Sequence, residues 1–210
     1  GKVRAFHNLC RHRGSRVVSG GSGRCNKSIV CPYHGWTYGL DGTTRGIARK
    51  ETFPDMDRDK LGLISLNMEI WHGFIFVKFK DSAQPSVHET MARFDHEISD
   101  YGLDEMLPVP ESEWSEIIDV NWKSVRDVDN EGYHVKQAHP GLEELYGQNY
   151  NDEPFYNGTS RSVGVFNTKP SKRWSVKNYL KFLPKVDKLS LESQNRWLYA
   201  GMFPNLVFGF

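Results

Sequence analysis

Two short stretches limit this chain more than anything else in it: Cys10-Arg11-His12 and Cys31-Pro32-Tyr33-His34, eighteen residues apart. Each sets a thiol before an imidazole in a loop marked by Gly or Pro, so together they offer two sulfur and two nitrogen donors. Chance explains one such pair readily and two pairs of the same order poorly. A Cys2His2 set can hold one zinc ion. It can also hold a [2Fe–2S] cluster in which imidazoles replace thiolates on one iron, which raises the reduction potential because imidazole is neutral. Cys-x-His is a poor spacing for a compact zinc knuckle, which favours Cys-x-x-Cys on one side. Cys25 lies between the loops without a partner and reads as a packed or surface thiol.

Composition sets the background. The 210 residues carry 27 Lys plus Arg against 26 Asp plus Glu, a net charge of +1, which leaves no basic face for nucleic acid. No apolar run is long enough for a membrane span and no signal peptide is visible. Three cysteines are too few for a disulfide scaffold and fit a reducing compartment, the cytoplasm. The start at Gly1-Lys2 and the stop inside the apolar Phe208-Gly209-Phe210 read as a fragment of something longer.

The pattern along the chain divides it in three. Residues 1–80 are strand-like. Val3 to Phe6, Ser28 to Val30, Trp36 to Tyr38 and Phe74 to Phe79 predict strands, and Asp41-Gly42 signals a hairpin turn. Residues 81–111 form a linker holding one helix, with Val87, Met91, Phe94 and Ile98 on one face, Ser86 as its cap and His88-Glu89 in its first turn. Residues 112–210 begin a second domain. Trp114 to Asp119 predicts a strand, Asn121-Trp122-Lys123 opens a helix running through His134, and Ser162 to Asn167 and Leu206 to Phe210 predict further strands.

A second constellation lies in that domain: Glu131-Gly132-Tyr133-His134-Val135-Lys136-Gln137-Ala138-His139-Pro140. On one regular helix a five-residue step turns by roughly 140°, so His134 and His139 could not face one metal. Pro140 removes the difficulty, because the residue before a proline is pushed out of the helical region. The helix should end near Ala138 and let His139 swing back toward His134. Two histidines and one carboxylate make the facial triad of non-haem Fe(II) oxygenases.

Cys10-Arg11-His12-Arg13-Gly14, Cys31-Pro32-Tyr33-His34-Gly35-Trp36 and the Asn121-Trp122-Lys123 and Glu131-to-Pro140 segments, in that order, resemble the large subunit of Rieske-type non-haem iron ring-hydroxylating oxygenases. The resemblance covers nearly the whole chain. It implies an α+β fold: a Rieske antiparallel β domain followed by the start of a helix-grip catalytic domain. It implies that Cys10 and Cys31 bind one iron of the [2Fe–2S] cluster and His12 and His34 the other. His134 and His139 would hold a mononuclear Fe(II), with the third ligand an Asp beyond Phe210. Glu131 would bridge His134 to His34 of a neighbouring subunit and carry electrons between them, which requires a homotrimer or an α3β3 assembly. Most ring dioxygenases place Asp at this bridge, and Glu resembles the branch acting on quaternary ammonium compounds such as carnitine. An Asn usual at or just before Val128 is absent, and Asp127 matches an acidic position of the family motif.

The resemblance implies a terminal oxygenase. It would take electrons from NAD(P)H through a reductase, directly or by way of a ferredoxin, since no Rossmann glycine fingerprint is present. It would use O2 on a small organic molecule, first an aromatic ring and alternatively a quaternary ammonium compound that loses a methyl group. A Rieske electron carrier or a zinc-stabilised binding module are the non-enzyme alternatives. Arg11 and Arg13 serve the cluster or a partner, or are simply solvated. His7, His72, His88 and His96 have no ligand spacing, Trp36 and Tyr38 pack the β domain, and the aromatic residues from Trp174 to Tyr199 form core or a lid.

Overall fold

A computed structural model describes residues 1–53, 55–147 and 149–210. The chain forms two compact units, Gly1–Ile70 with Ile75–Gln84, and Trp71–Phe74 with Pro85–Phe210.

The first unit is built on an antiparallel meander of β1 (Ser28–Val30), β2 (Thr37–Gly39) and β3 (Thr44–Gly46). Cys31 follows β1 and Trp36 precedes β2, so the second Cys/His loop is the connection between paired strands. The Asp41-Gly42 turn forms as its residues predict: Asp41 accepts from the Thr43 amide and hydroxyl, and Gly42 takes φ +85°. The core gathers Cys10, Val17, Cys31, Trp36, Tyr38 and Leu63. Val3 to Phe6 makes one bridge, Phe6 to Ser65, rather than a strand. β4 (Asn67–Trp71) and β5 (Phe74–Lys78) form a hairpin. Its two turn residues, His72 and Gly73, both take positive φ, the geometry of a tight type I′ turn.

The second unit opens with α1 (Val87–Ile98), whose Ser86 and Glu89 form a capping box. Met91, Phe94 and Ile98 are completely buried, as their spacing predicts. A four-stranded antiparallel sheet follows in chain order: β6 (Tyr150–Asp152), β7 (Thr159–Val165), β8 (Arg196–Met202) and β9 (Leu206–Gly209). Strand alternation divides its side chains between two faces. Arg161, Val163, Leu198 and Ala200 share one face, and Arg161 there meets Glu97 of α1. Tyr150, Asp152, Ser160, Ser162, Gly164, Trp197, Tyr199 and Gly201 share the other. α2 (Trp122–Asp129), α3 (Val135–Ala138), α4 (Pro140–Leu145) and α5 (Trp174–Phe182) complete the unit. Val135, Leu145, Tyr146, Phe166 and Val176 form a core from these helices and the sheet.

Two expectations need correction. Trp114 to Asp119 is not a strand, and Trp114, Ile117 and Ile118 are exposed. Its bulky apolar residues at 114, 117 and 118 do not alternate with the period of two that a half-buried strand shows, and no strand pairs with this segment among the described residues. The helix begun at Trp122 does not reach His134 but stops at Asp129. In a continuous helix the Gly132 amide would donate to the carbonyl four residues back. Here it donates to the Asp152 carboxylate at 2.7 Å, and glycine is a weak helix former.

α1 is fastened by ion pairs as well as by packing. Glu97 accepts from Arg161 at 2.7 Å and from Arg196 at 3.0 Å, while Glu153 takes a second bond from Arg161 at 2.6 Å. Burial raises the Glu97 pKa, but the two guanidiniums outweigh it and hold the carboxyl below its ordinary range. A depressed carboxylate stabilises the fold above its unfolded pKa and loses that contribution as pH falls through the folded value. Glu97→Gln should therefore cost about 3 kcal/mol at neutral pH, because two largely buried cations lose the carboxylate they share, Arg161 keeping only Glu153 and Arg196 only the exposed Glu192. Denaturant unfolding should show the wild-type advantage shrinking as pH falls through and below the ordinary glutamate range, and a constant difference there would reject the account.

Candidate iron–sulfur and mononuclear metal sites

The two Cys/His loops share one backbone design. In the first, the Gly14 amide donates to the Cys10 carbonyl at 2.9 Å and the Cys10 amide to the Ser15 carbonyl at 2.7 Å. In the second, Gly35 donates to Cys31 at 3.0 Å and Cys31 to Trp36 at 2.8 Å. Each turn closes on a glycine four residues after the cysteine, with φ +70° at Gly14 and +72° at Gly35. A side chain there would strain the turn. The glycine spacing is visible in the sequence, although its shared role is evident only from these hydrogen bonds.

The donors stand in like pairs. Among the described residues no group of three or more His, Cys, Asp or Glu side chains is gathered around one point. Instead Cys10 and Cys31 lie in one buried cluster, where Cys10 helps to lower the Cys31 pKa, and the rings of His12 and His34 lie 4.7 Å apart, edge to face. Both cysteines are buried and free. Burial raises the Cys31 pKa, but the amides of Tyr33 and His34, with Cys10 and Ser15, more than offset it, favouring the thiolate that ligates metal. Burial first, then the neighbouring His34 and Arg13, lowers the His12 pKa and favours the neutral imidazole. Its Nδ1 is buried and has no partner within the protein. An orphaned buried acceptor, paired thiols and a facing imidazole fit a [2Fe–2S] cluster with two sulfur and two nitrogen ligands.

Trp36 and Tyr38 do pack this unit, and each also touches the donors. Trp36 stacks on His12 at 5.0 Å and 8°. The Tyr38 hydroxyl accepts the Arg11 amide at 2.9 Å and lies 3.2 Å from Cys10 Sγ, within hydrogen-bond reach, so its proton is available to a cysteine thiolate. Asn8 braces the same loop, accepting the Val17 and Val18 amides and donating to the Val18 carbonyl. Arg13 lies over the Tyr33 ring, 5.8 Å from its centroid. Cys25 is exposed, a surface thiol and not a packed one.

In the second unit, α3 ends at Ala138 and His139 takes φ −126° and ψ 72°, outside the helical region, with Pro140 opening α4. This is the break that Pro140 predicts. It brings the His134 and His139 rings to 5.1 Å. His134 Nδ1 donates to Glu131 Oε1 at 2.6 Å, and its amide donates to Oε2 at 3.0 Å. With Nδ1 engaged, Nε2 is the nitrogen left for a metal, and the carboxylate fixes the ring. Burial raises the Glu131 pKa, but the bonds from His134 prevail and keep it ionised. Both histidines and Glu131 line a cavity of about 240 Å³ whose wall includes Tyr146, Tyr150 and Tyr199. Two glycines admit these rings: a Cβ at Gly132 would lie 2.6 Å from Tyr150, and one at Gly164 2.9 Å from Tyr146. The residues fit an iron held by two imidazoles with open positions. His72 is instead a turn residue facing Asp95 and Asp104.

A β unit with two sulfur and two imidazole donors, and an α+β unit with a two-histidine, carboxylate-braced pocket, define a Rieske non-haem iron oxygenase. Residues 1–57 match the Rieske [2Fe-2S] domain, and residues 87–210 match the ring hydroxylating alpha subunit catalytic domain. The chain belongs to this family, whose members carry a Rieske cluster and a mononuclear iron.

The chain is similar to the glycine betaine monooxygenase oxygenase subunit of Chromohalobacter salexigens, 38% identical over 142 residues, covering 68% of this chain and 31% of that protein. It is similar to the chloroplastic choline monooxygenase of Beta vulgaris, 32% identical over 214 residues, covering 99% and 43%. It thus spans well under half the length of these relatives. A solved quaternary ammonium Rieske monooxygenase, described for carnitine oxidation by gut microbiota, shares the fold with TM-score 0.73 at 22% identity, covering 97% of this chain and 51% of that one.

Hydrogen bonds to cluster sulfur raise the reduction potential. Tyr38→Phe should fold, keep its cluster and shift the midpoint to more negative values. Voltammetry of full-length protein checks this, and an unchanged midpoint would remove Tyr38 from the cluster's environment.

Proposed function

We propose that the full-length protein is the terminal oxygenase component of an enzyme that hydroxylates a methyl group of a quaternary ammonium compound, leading to its loss. The observation that carries this is the His134–His139 pair, braced by Glu131, on a cavity walled by Tyr146, Tyr150 and Tyr199. The residue pattern put an aromatic ring first and a quaternary ammonium compound second. The glycine betaine and choline monooxygenases now support the reverse order.

The chemistry of the pocket agrees. A quaternary ammonium cation has no N–H to donate, so recognition relies on aromatic faces and desolvation. Three tyrosines supply such faces, and the Glu131 carboxylate adds negative charge. In this reading Cys10, His12, Cys31 and His34 hold the cluster, and His134 and His139 hold the iron. When bound, these groups supply electrons and activate O2. Glu131 keeps the His134 ring oriented, with Nδ1 protonated and Nε2 turned to the metal. In an oligomer of the full-length protein, Glu131 also meets His34 of the neighbouring subunit. A reductase, directly or through a ferredoxin, delivers electrons derived from NAD(P)H.

Full-length protein supplied with a reductase should release formaldehyde from glycine betaine, choline or carnitine with matched O2 uptake. Oxidation of an aromatic hydrocarbon with no turnover of these cations would overturn the substrate assignment. Tyr199→Ala should raise KM for the cation about tenfold, as expected for loss of one desolvated cation–π contact. Glu131→Gln should retain both metals and a reducible cluster while turning over far more slowly.

A further inference from the structure

Asp152 belongs to neither Cys/His loop nor to the Glu131–His139 segment, yet it holds the turn that presents Glu131 and His134. α2 has ended at Asp129 and its last bond is from the Asn130 amide to Asp127, so its hydrogen bonds no longer place residues 131 to 134. Asp152, on β6, accepts the Gly132 amide through Oδ2 at 2.7 Å. Its other oxygen accepts the hydroxyl of Ser162, its cross-strand partner on β7. The carboxylate is thus aimed by the sheet and spends one oxygen on the turn. Tyr150, two residues earlier on the same strand face, lies against the α-carbon of Gly132, where a Cβ would come within 2.6 Å of its ring. One strand therefore locates Gly132 from two sides, by a charge-assisted hydrogen bond and by a ring that leaves no room for a side chain. Glu131 precedes Gly132 directly, and the Gly132 carbonyl accepts the Val135 amide at 3.1 Å, the start of the turn through His134.

We propose that Asp152 is a positioning residue for the mononuclear metal site: its bond to the Gly132 amide sets where Glu131 and His134 stand. It touches neither metal nor substrate and acts through the backbone. The inference rests on the reading of His134 and His139 as metal ligands. A continuous helix would draw the Gly132 amide back to its own axis, and the Asp152 carboxylate is the acceptor that captures it instead. Hydrogen bonds to a charged partner are the stronger kind, which suits a bond that must compete with a helical one.

The test uses full-length protein with two readouts. One is the Co(II) dissociation constant of the mononuclear site by equilibrium dialysis. The other is hydrogen exchange at the Gly132 amide. Asp152→Ala should weaken Co(II) binding about tenfold, the lower end for loss of an outer partner, and should deprotect Gly132 while the cluster absorption stays intact. Asp152→Asn should rescue both, because its amide oxygen can accept from Gly132 and its NH2 donate to Ser162. Wild-type affinity in Asp152→Ala would overturn the proposal, as would Asp152→Asn behaving like Asp152→Ala. A purely structural part for Asp152 would lower the thermal midpoint and leave Co(II) affinity unchanged, which also overturns it. If His134→Ala does not weaken Co(II) uptake, the metal-site reading fails first, and Gly132 protection still reports whether the bond exists in solution.

Discussion

Nδ1 of His12 is buried and bonds to nothing in the protein, and the two Cys/His loops of the first unit are arranged around its ring. A buried acceptor without a partner is costly unless something outside the polypeptide takes it up. Everything nearby restrains it instead of satisfying it. Trp36 stacks on the ring, His34 meets it edge-on, and the two loops are closed by matching hydrogen bonds on Gly14 and Gly35. Tyr38 joins the halves, lying in the core on β2 while its hydroxyl reaches the other loop at Arg11 and Cys10. The strand pair β1–β2 thus carries one donor loop as its connection and fastens the other by a side chain.

The second unit solves a different problem. Two histidines five residues apart stand with their rings 5.1 Å apart, an approach that a regular helix does not give. The chain breaks its helices twice, once after Asp129 and again at His139, leaving a four-residue helix between. Short helices have little stability of their own. What holds them is the sheet face beneath, where Asp152 captures a backbone amide and glycines at 132 and 164 let tyrosine rings approach. On the opposite face, Arg161 and Arg196 converge on Glu97 and tie α1 to the sheet. The same alternation that separates the faces thereby gives one to anchoring α1 and the other to the wall of the His134–His139 cavity.

Much of this was legible in the chain. Cys10, His12, Cys31, His34, His134 and His139 are residue types with few other uses at such spacings, and Pro140 carries its own steric rule. The apolar spacing of α1 and the Asp41-Gly42 turn were equally local signals. What failed, failed for want of a partner or because of one. Trp114 to Asp119 carries β-branched and aromatic residues but lacks a strand's alternation, and it pairs with no other described strand. The stretch from Asn121 to His134 reads as one helix, and a carboxylate on β6, twenty residues beyond Gly132, interrupts it.

Local sequence therefore determined the donors, their order and the turns that display them, because ligand chemistry and backbone sterics act over a few residues. Tertiary structure decided the pairing of cysteine with cysteine and histidine with histidine. It also decided the contact of Tyr38 with Cys10, the end of α2 and the aromatic wall beside His134. Each of these depends on atoms far apart in the chain, and only register and packing bring them within bonding distance.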